Sequence, residues 1–185
     1  MPTFIALLRG VNVGKAKQVP MADLRALLAE LGYADVQTLL NSGNAVFRAT
    51  KGAPAELAVE ITHAIATKLQ LEVPVIVKSA AQWSAIVADN ALAANAADDP
   101  SRLLVAVTQG PEALAGLGVI EPLLTPAEAF FLGANAAYLH CASGILESRA
   151  GEALLGKVGK VGKTATTRNW ATVLKLQALA KGLGA

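Results

Sequence analysis

The sequence is poor in cysteine, histidine, aromatic residues and charge. Cys141 is the single cysteine among 185 residues and there are two histidines, so no internal disulfide can form and no zinc-binding spacing exists. Charged residues make up 16% of the chain and the net charge is +2, which does not by itself indicate a nucleic-acid-binding protein. No apolar run reaches the roughly 18 residues of a membrane span, and no basic segment followed by an apolar one opens the chain. We therefore expect a cytoplasmic protein without a membrane segment, metal or cofactor.

Apolar residues are abundant, at 54% of the chain, so nearly every long stretch can bury a face and long disordered stretches are not expected. In the first half, short apolar runs alternate with stretches of helical periodicity. The order is βαββαβ, which is the ferredoxin-like arrangement of a four-stranded sheet with two helices on one face. The predicted strands are 3–10, 36–40, 44–48 and 73–78, and the predicted helices are 19–33 and 54–70.

The second half repeats this theme less regularly. The pattern predicts a helix at 79–92, a strand at 102–108, a short helix at 111–120, a hairpin of 127–133 with 136–142, a helix at 144–155, and a last helix that starts at Thr166 or Thr167 as N-cap. We expect an α+β protein made of two ferredoxin-like subdomains, residues 1–78 and 79–185. Because the strands at 3–10 and 73–78 are apolar on both faces, the two subdomains should pack into one compact unit, with the second covering the first sheet.

The segment 156–170, GKVGKVGKTATTRNW, resembles a nucleotide-binding loop at first sight. A Walker A loop needs a glycine five positions before Gly162, where Lys157 stands, and it should follow a buried strand rather than a helical segment. The segment 10–16, GVNVGKA, fails on spacing as well. The sequence therefore does not predict nucleotide hydrolysis, and the glycine-lysine part, with Lys157 and Lys160, is interpreted as a mobile basic connector.

Binding of an anion without turnover remains possible for residues 163–170. A helix that starts at the threonine pair would offer backbone N–H groups and a positive dipole end beside Lys163 and Arg168, which suits a phosphate or carboxylate. The alternative is a solvated connector followed by an ordinary helix cap. Loops 9–17 and 41–44 also concentrate hydrogen-bond donors, although asparagine and glycine serve tight turns in any protein. We expect these two loops at different ends of the sheet, so that they need not meet.

Residues for catalysis are sparse. His63 falls on the outer side of its predicted helix, and the neighbours His140 and Cys141 point to opposite faces of a strand, so they do not form a Cys–His pair. An RNA-recognition sheet is disfavoured too, since Phe4 and Phe47 lack the basic and aromatic motif of such modules and are predicted to be core. Whether the protein is an enzyme stays open.

Several motifs together resemble a bacterial family catalogued as domain-of-unknown-function 1697. They are LLRGVNVG, VPMADLRALL, LNSGN followed by a strand, and TTRNW, and the resemblance spans essentially the whole chain. It implies a two-part α+β fold with ferredoxin-like subdomains and implies no particular activity or catalytic residue. Carried over by position, the polar signature of the family falls on Arg9, Gly10, Asn12, Gly14, Asn41, Ser42, Gly43, Asn44, Thr167, Arg168, Asn169 and Trp170.

The leading hypothesis is a protein that binds an anionic ligand, namely a nucleotide, a phosphometabolite or a nucleic-acid backbone. Two alternatives stay open: a cofactor-free enzyme that uses Ser42, His140 or a carboxylate, and an interaction or homodimer module. The oligomeric state is undetermined. The candidate ligand-binding residues are Arg9, Asn12, Lys15, Asn41, Ser42, Asn44, Lys163, Thr167, Arg168, Asn169 and Trp170.

Overall fold

The computed structural model describes residues 1–15, 17–157 and 160–184. The chain divides into two compact units, one made of Met1–Trp83 together with the chain from Leu176 onward, and the other of Ser84–Lys175. We call them unit 1 and unit 2. No helix among these residues is both long enough and apolar enough to cross a membrane.

Unit 1 contains a four-stranded antiparallel sheet with the strand order β2-β3-β1-β4. Together with its two helices this is the predicted ferredoxin-like arrangement. Helix α1 ends where Gly32 takes a φ of +84°, a conformation that glycine adopts without strain. The elements are β1 Thr3–Leu8, α1 Met21–Glu30, β2 Ala34–Leu39, β3 Asn44–Arg48, α2 Pro54–Leu69 and β4 Val75–Ser79.

The core of unit 1 lies between the sheet and the two helices. Phe4, Ala6 and Leu8 of β1 belong to one buried cluster with the apolar faces of α1 and α2. Ile5 and Leu7 alternate with them and are completely buried as well. Both faces of β1 are therefore shielded from water, as its unbroken apolar run predicts. The identity of the cover on the second face stays a prediction.

Unit 2 repeats the same topology, with the strand order β6-β7-β5-β8. Helix α4 continues as a 3-10 helix over Gly116–Leu123, and a second 3-10 turn, Val161–Thr164, precedes β8. The helices α3 and α6 follow the fourth strands of the two sheets. The elements that follow β4 along the chain are α3 Ala80–Ala88, β5 Leu103–Thr108, α4 Pro111–Ala115, β6 Glu128–Leu132, β7 Ala137–Cys141, α5 Arg149–Leu154, β8 Ala165–Asn169 and α6 Trp170–Gly184. The first residues of α3 and the part of α6 from Leu176 onward belong to unit 1.

The prediction for the start of the last helix was wrong. Thr166 and Thr167 lie in β8, paired with Val107 and Ala106, and α6 begins only at Trp170. Two β-branched residues in succession favour a strand, but ATTRN carries too little apolar alternation to announce one. The cap is Asn169, whose Oδ1 accepts a hydrogen bond of 2.9 Å from the backbone N–H of Thr172.

The two units match residue by residue at the fourth strand. Lys78 of β4 pairs with Ile5, the third residue of β1, and Arg168 of β8 pairs with Val105, the third residue of β5. One residue later, Ser79 accepts a hydrogen bond of 3.2 Å from Gln82 N, as Asn169 does in unit 2. The chain is therefore a structural repeat of βαββαβ followed by a helix.

Candidate functional site

The loop after β1 and the turn before β3 meet at one end of the unit 1 sheet. Leu7 pairs with Asn44, and the backbone N–H of Leu8 donates to Gly43 O at 2.8 Å. The expectation that these loops lie at different ends was wrong, because β1 and β3 are antiparallel neighbours. In such a pair the carboxyl end of one strand lies beside the amino end of the other.

Asn12 connects the two loops. Its Nδ2 donates to the backbone oxygens of Asn41 at 2.6 Å and Val19 at 2.9 Å, and its Oδ1 accepts from Val19 N at 2.8 Å. Both amide hydrogens and the amide oxygen are thus bound within the protein. Asn12 closes its own loop and fixes that loop to the neighbouring turn.

Asn44 and Gly43 build the turn itself. Asn44 is completely buried, and its Nδ2 donates to Leu39 O at 3.0 Å and to Ser42 Oγ at 2.9 Å. Gly43 has a φ of +76°, and a Cβ at this position would lie 2.6 Å from both Leu8 Cβ and Val11 Cγ2. Only glycine fits this approach of the turn to the first loop.

Three cations surround the junction. Arg9 is half-buried and Lys15 is exposed, and within the part of the chain that the structure describes neither side chain has a hydrogen bond or an ion pair. Lys17 is exposed, and its Nζ donates to the backbone oxygen of Glu72 at 2.7 Å. Asn41 and Ser42 are exposed at the tip of the turn.

Left-handed backbone is concentrated at this junction. Of the five non-glycine residues with positive φ in the described chain, Asn12, Lys17 and Leu40 belong to these two loops. Such conformations cost on the order of 1–3 kcal/mol each and persist where the surrounding structure imposes them, often at functional sites. We call residues 9–15 with Lys17, and residues 40–44, the loop pair.

The third predicted segment, 163–170, belongs to unit 2. Lys163 is exposed, Thr167 and Asn169 are half-buried, and Trp170 is buried. The helix start on which the anion hypothesis for this segment relied lies at Trp170, with Asn169 as its cap, and not at the threonine pair. Loop pair and segment 163–170 are therefore different kinds of structure: two apposed loops, and a strand with a capped helix.

Arg168 is held within its own strand. Its Nη1 donates to Thr166 Oγ1 at 3.0 Å and to Thr167 O at 2.8 Å. Desolvation lowers the pKa of Arg168 to about 10, so the guanidinium stays protonated at neutral pH. Burial likewise lowers the pKa of Lys78, at the equivalent position of unit 1. Lys78 is not among the predicted site residues, although a lysine that ends the apolar run VPVIVK is a visible signal in the sequence.

The glycine-lysine segment follows a helix, as predicted, and leads into a strand. Gly162 is buried, and a Cβ there would lie 2.6 Å from Ala153 O, so this glycine lets the chain pass the end of α5. Val158 and Gly159 lie outside the described residues, so the prediction of a mobile connector stays a prediction there. The order of elements along the chain therefore confirms that this segment is not a Walker A loop, which would follow a strand and open a helix.

The described chain offers little for metal or thiol chemistry. Its His, Cys, Asp and Glu residues include no group of three or more that could hold a metal ion. Cys141 is buried, and burial raises the pKa of its thiol, which disfavours the reactive thiolate. Ser42 Oγ accepts a hydrogen bond from Asn44.

Comparisons with known proteins agree with this fold. A family model described as "Protein of unknown function (DUF1697)" matches residues 1–138, most of the chain. No curated protein matches this chain. Among solved structures, the chain is similar to a conserved bacterial protein from Streptococcus pneumoniae, with 23% sequence identity and a TM-score of 0.79 over 97% of this chain and 98% of that one. At this identity the likeness establishes the fold alone.

Proposed function

We propose that this chain, which belongs to the DUF1697 family of proteins of unknown function, binds an anionic ligand at the loop pair of unit 1. The observation that carries the proposal is the hydrogen bond from Asn12 Nδ2 to Asn41 O, which joins two loops that are far apart in sequence. This hydrogen bond joins the β1–α1 loop and the β2–β3 turn into one surface, which we call the platform.

The charged side chains of the loop pair itself have one sign. Residues 9–19 and 40–44 contain Arg9, Lys15 and Lys17 and no aspartate or glutamate. The side chains of Arg9 and Lys15 have no partner in the described chain, so a bound anion does not have to displace an existing ion pair. An exposed ion pair within a protein contributes little to its stability. Several cations around one bound anion, however, each contribute to the free energy of binding.

The candidate residues divide into two roles. Arg9 and Lys15 supply charge, with Asn41 and Ser42 as neutral polar groups at the exposed tip of the turn. Asn12 and Asn44 hold the loops in place, because their amide hydrogens are already bound to the protein. Fixing the loops before the ligand arrives reduces the ordering cost of binding.

The test is a titration of the full chain with inorganic phosphate, pyrophosphate and ATP, followed by two-dimensional NMR and thermal unfolding. We expect saturable shifts in the loop pair that are lost in the double variant Arg9→Ala/Lys15→Ala. Lys51→Ala is the matched control, since Lys51 is an exposed cation of unit 1 outside the loop pair. The absence of saturable shifts with all three anions, or equal binding by the double variant, would contradict the proposal.

The same titration, repeated with an oligonucleotide and at two salt concentrations, separates the ligand classes. Contacts to a nucleic-acid backbone release counterions and weaken steeply with salt, whereas a small anion held by two cations loses less affinity. An enzyme that acts on ATP or pyrophosphate would instead convert it, which the NMR spectrum of the ligand would reveal.

A further inference from the structure

Two apolar side chains project from the loop pair into solvent. Val13 is 74% exposed and Leu40 is 54% exposed. They are the neighbours in sequence of Asn12 and Asn41, the two residues whose hydrogen bond joins the loops. Single exposed aliphatic residues are normal on protein surfaces. Here, however, two of them occur within one small basic site that other observations have already defined.

The backbone at Leu40 makes the exposure more informative. Leu40 has a φ of +58°, a left-handed conformation that asparagine or glycine adopts at lower cost than leucine. A turn that served only to connect β2 and β3 would be more stable with one of those residues. The leucine therefore has more than half of its surface in water and takes a backbone conformation that does not favour it.

We propose, building on the anion site above, that the partner of the loop pair is an acidic segment of another protein that carries aliphatic side chains. Arg9, Lys15 and Lys17 provide charge complementary to aspartate and glutamate. Val13 and Leu40 provide apolar surface that such a segment covers with its own aliphatic residues. A site with cations and exposed aliphatic groups together matches this partner on both counts.

Other anions match the site on one count only. A phosphate or small carboxylate neutralises the cations and leaves Val13 and Leu40 in water. Single-stranded nucleic acids are bound through aromatic side chains on which bases stack, and residues 9–19 and 40–44 contain no aromatic residue.

The experiment uses the full chain and three labelled probes in fluorescence anisotropy. The probes are a hexapeptide of glutamates with two leucines, the same peptide with serines in place of the leucines, and a short oligothymidylate. We expect the leucine peptide to bind about tenfold more tightly than the serine peptide, since partial burial of two aliphatic side chains is of that order.

The decisive variant is Val13→Ser/Leu40→Ser. It should remove the tenfold preference for the leucine peptide and leave phosphate binding unchanged, while Val59→Ser, a change at an exposed valine of α2, should preserve both. Because both replaced side chains are exposed, the unfolding midpoint should not change, and each single variant should lose part of the preference.

Three results would overturn the inference: equal binding of the two peptides, tightest binding of the oligothymidylate, or sedimentation that shows self-association of the chain abolished by the double variant. Its failure is distinct from failure of the anion site. If phosphate binds and the two peptides bind equally, only this inference fails; if phosphate does not bind, the anion site fails.

Discussion

The two units share one topology and differ at one end of their sheets. In unit 1, residues 9–20 separate β1 from α1, whereas in unit 2 only Gln109 and Gly110 separate β5 from α4. The long connection of unit 1 carries the three cations and the left-handed residues Asn12 and Lys17. The same sheet topology thus carries a two-residue connection in unit 2 and a long polar loop in unit 1. We therefore expect function to lie in the loops rather than in the fold.

The hairpin turns at this end are also held differently. In unit 1 an amide holds the turn, since Asn12 Nδ2 donates to Asn41 O. In unit 2 a carboxylate holds it, since Asp89 Oδ2 accepts from the backbone N–H of Asn135 at 3.1 Å. A carboxylate at this place repels anions, so unit 2 is not expected to bind one there.

The largest effect is expected at Gly43. Gly43→Ala places a Cβ 2.6 Å from Leu8 Cβ and Val11 Cγ2 at a φ of +76°, so we expect a loss of about 3 kcal/mol in urea unfolding. The control is Gly110→Ala in the short connection of unit 2, where a Cβ meets nothing within 4 Å. Similar losses in both variants would mean that the loop pair is no more tightly built than its counterpart.

Asn12 should have the next largest effect. Asn12→Ala removes three hydrogen bonds, each worth about 1 kcal/mol net, so we expect a loss of about 2 kcal/mol in the same experiment once water has replaced part of them. Asn12→Gly keeps the left-handed backbone and should lose slightly less. Asn41→Ala should be nearly neutral, because Asn41 takes part through its backbone oxygen; a large loss there would refute this account of the junction.

Asp89 tests the counterpart in unit 2. Asp89→Ala removes a charged acceptor from Asn135 N, and we expect a loss of about 1.5 kcal/mol in urea unfolding. Asp89→Asn keeps an acceptor and should recover most of it. If neither variant differs from wild type in stability, the hydrogen bond from Asn135 N to Asp89 does not hold the turn of unit 2 as the Asn12 bond holds that of unit 1.

The smallest effect concerns pH and compares Lys78 with Arg168. Burial lowers the folded-state pKa of Lys78 below its usual value of 10.5, so the unfolded chain binds more protons between the two values. Lys78 therefore makes stability rise as pH increases through that window. Lys78→Met should remove this rise at alkaline pH below about 10, whereas Arg168→Met should leave it, since the pKa of Arg168 is about 10 and its unfolded value is higher still. An unchanged pH dependence in Lys78→Met would contradict the assignment.

Apolar periodicity was enough to predict most of the fold. The elements of unit 1 follow from runs such as TFIALL, whose burial on both faces the structure confirms. Strand β8 could not be predicted, because Ala165 and Thr166 owe their burial to neighbours that only the folded sheet supplies.

The candidate site was predictable in composition and not in geometry. Glycine, asparagine and cations mark residues 9–17 and 41–44 as polar loops, but their meeting depends on which strands are neighbours and in which direction they run. The scaffold role of Asn12 depends on a left-handed φ of +55° that directs its amide to Asn41 O. Neither property is encoded in local sequence pattern.

The most direct test of the central claim is a phosphate titration of the full chain followed by backbone NMR of both units. The account predicts saturable shift changes in residues 9–15, Lys17 and 40–44, with none at the equivalent positions 109–111 and 133–136, and their loss in Arg9→Ala/Lys15→Ala. Saturable changes at 109–111 and 133–136, or none in the loop pair, would contradict it.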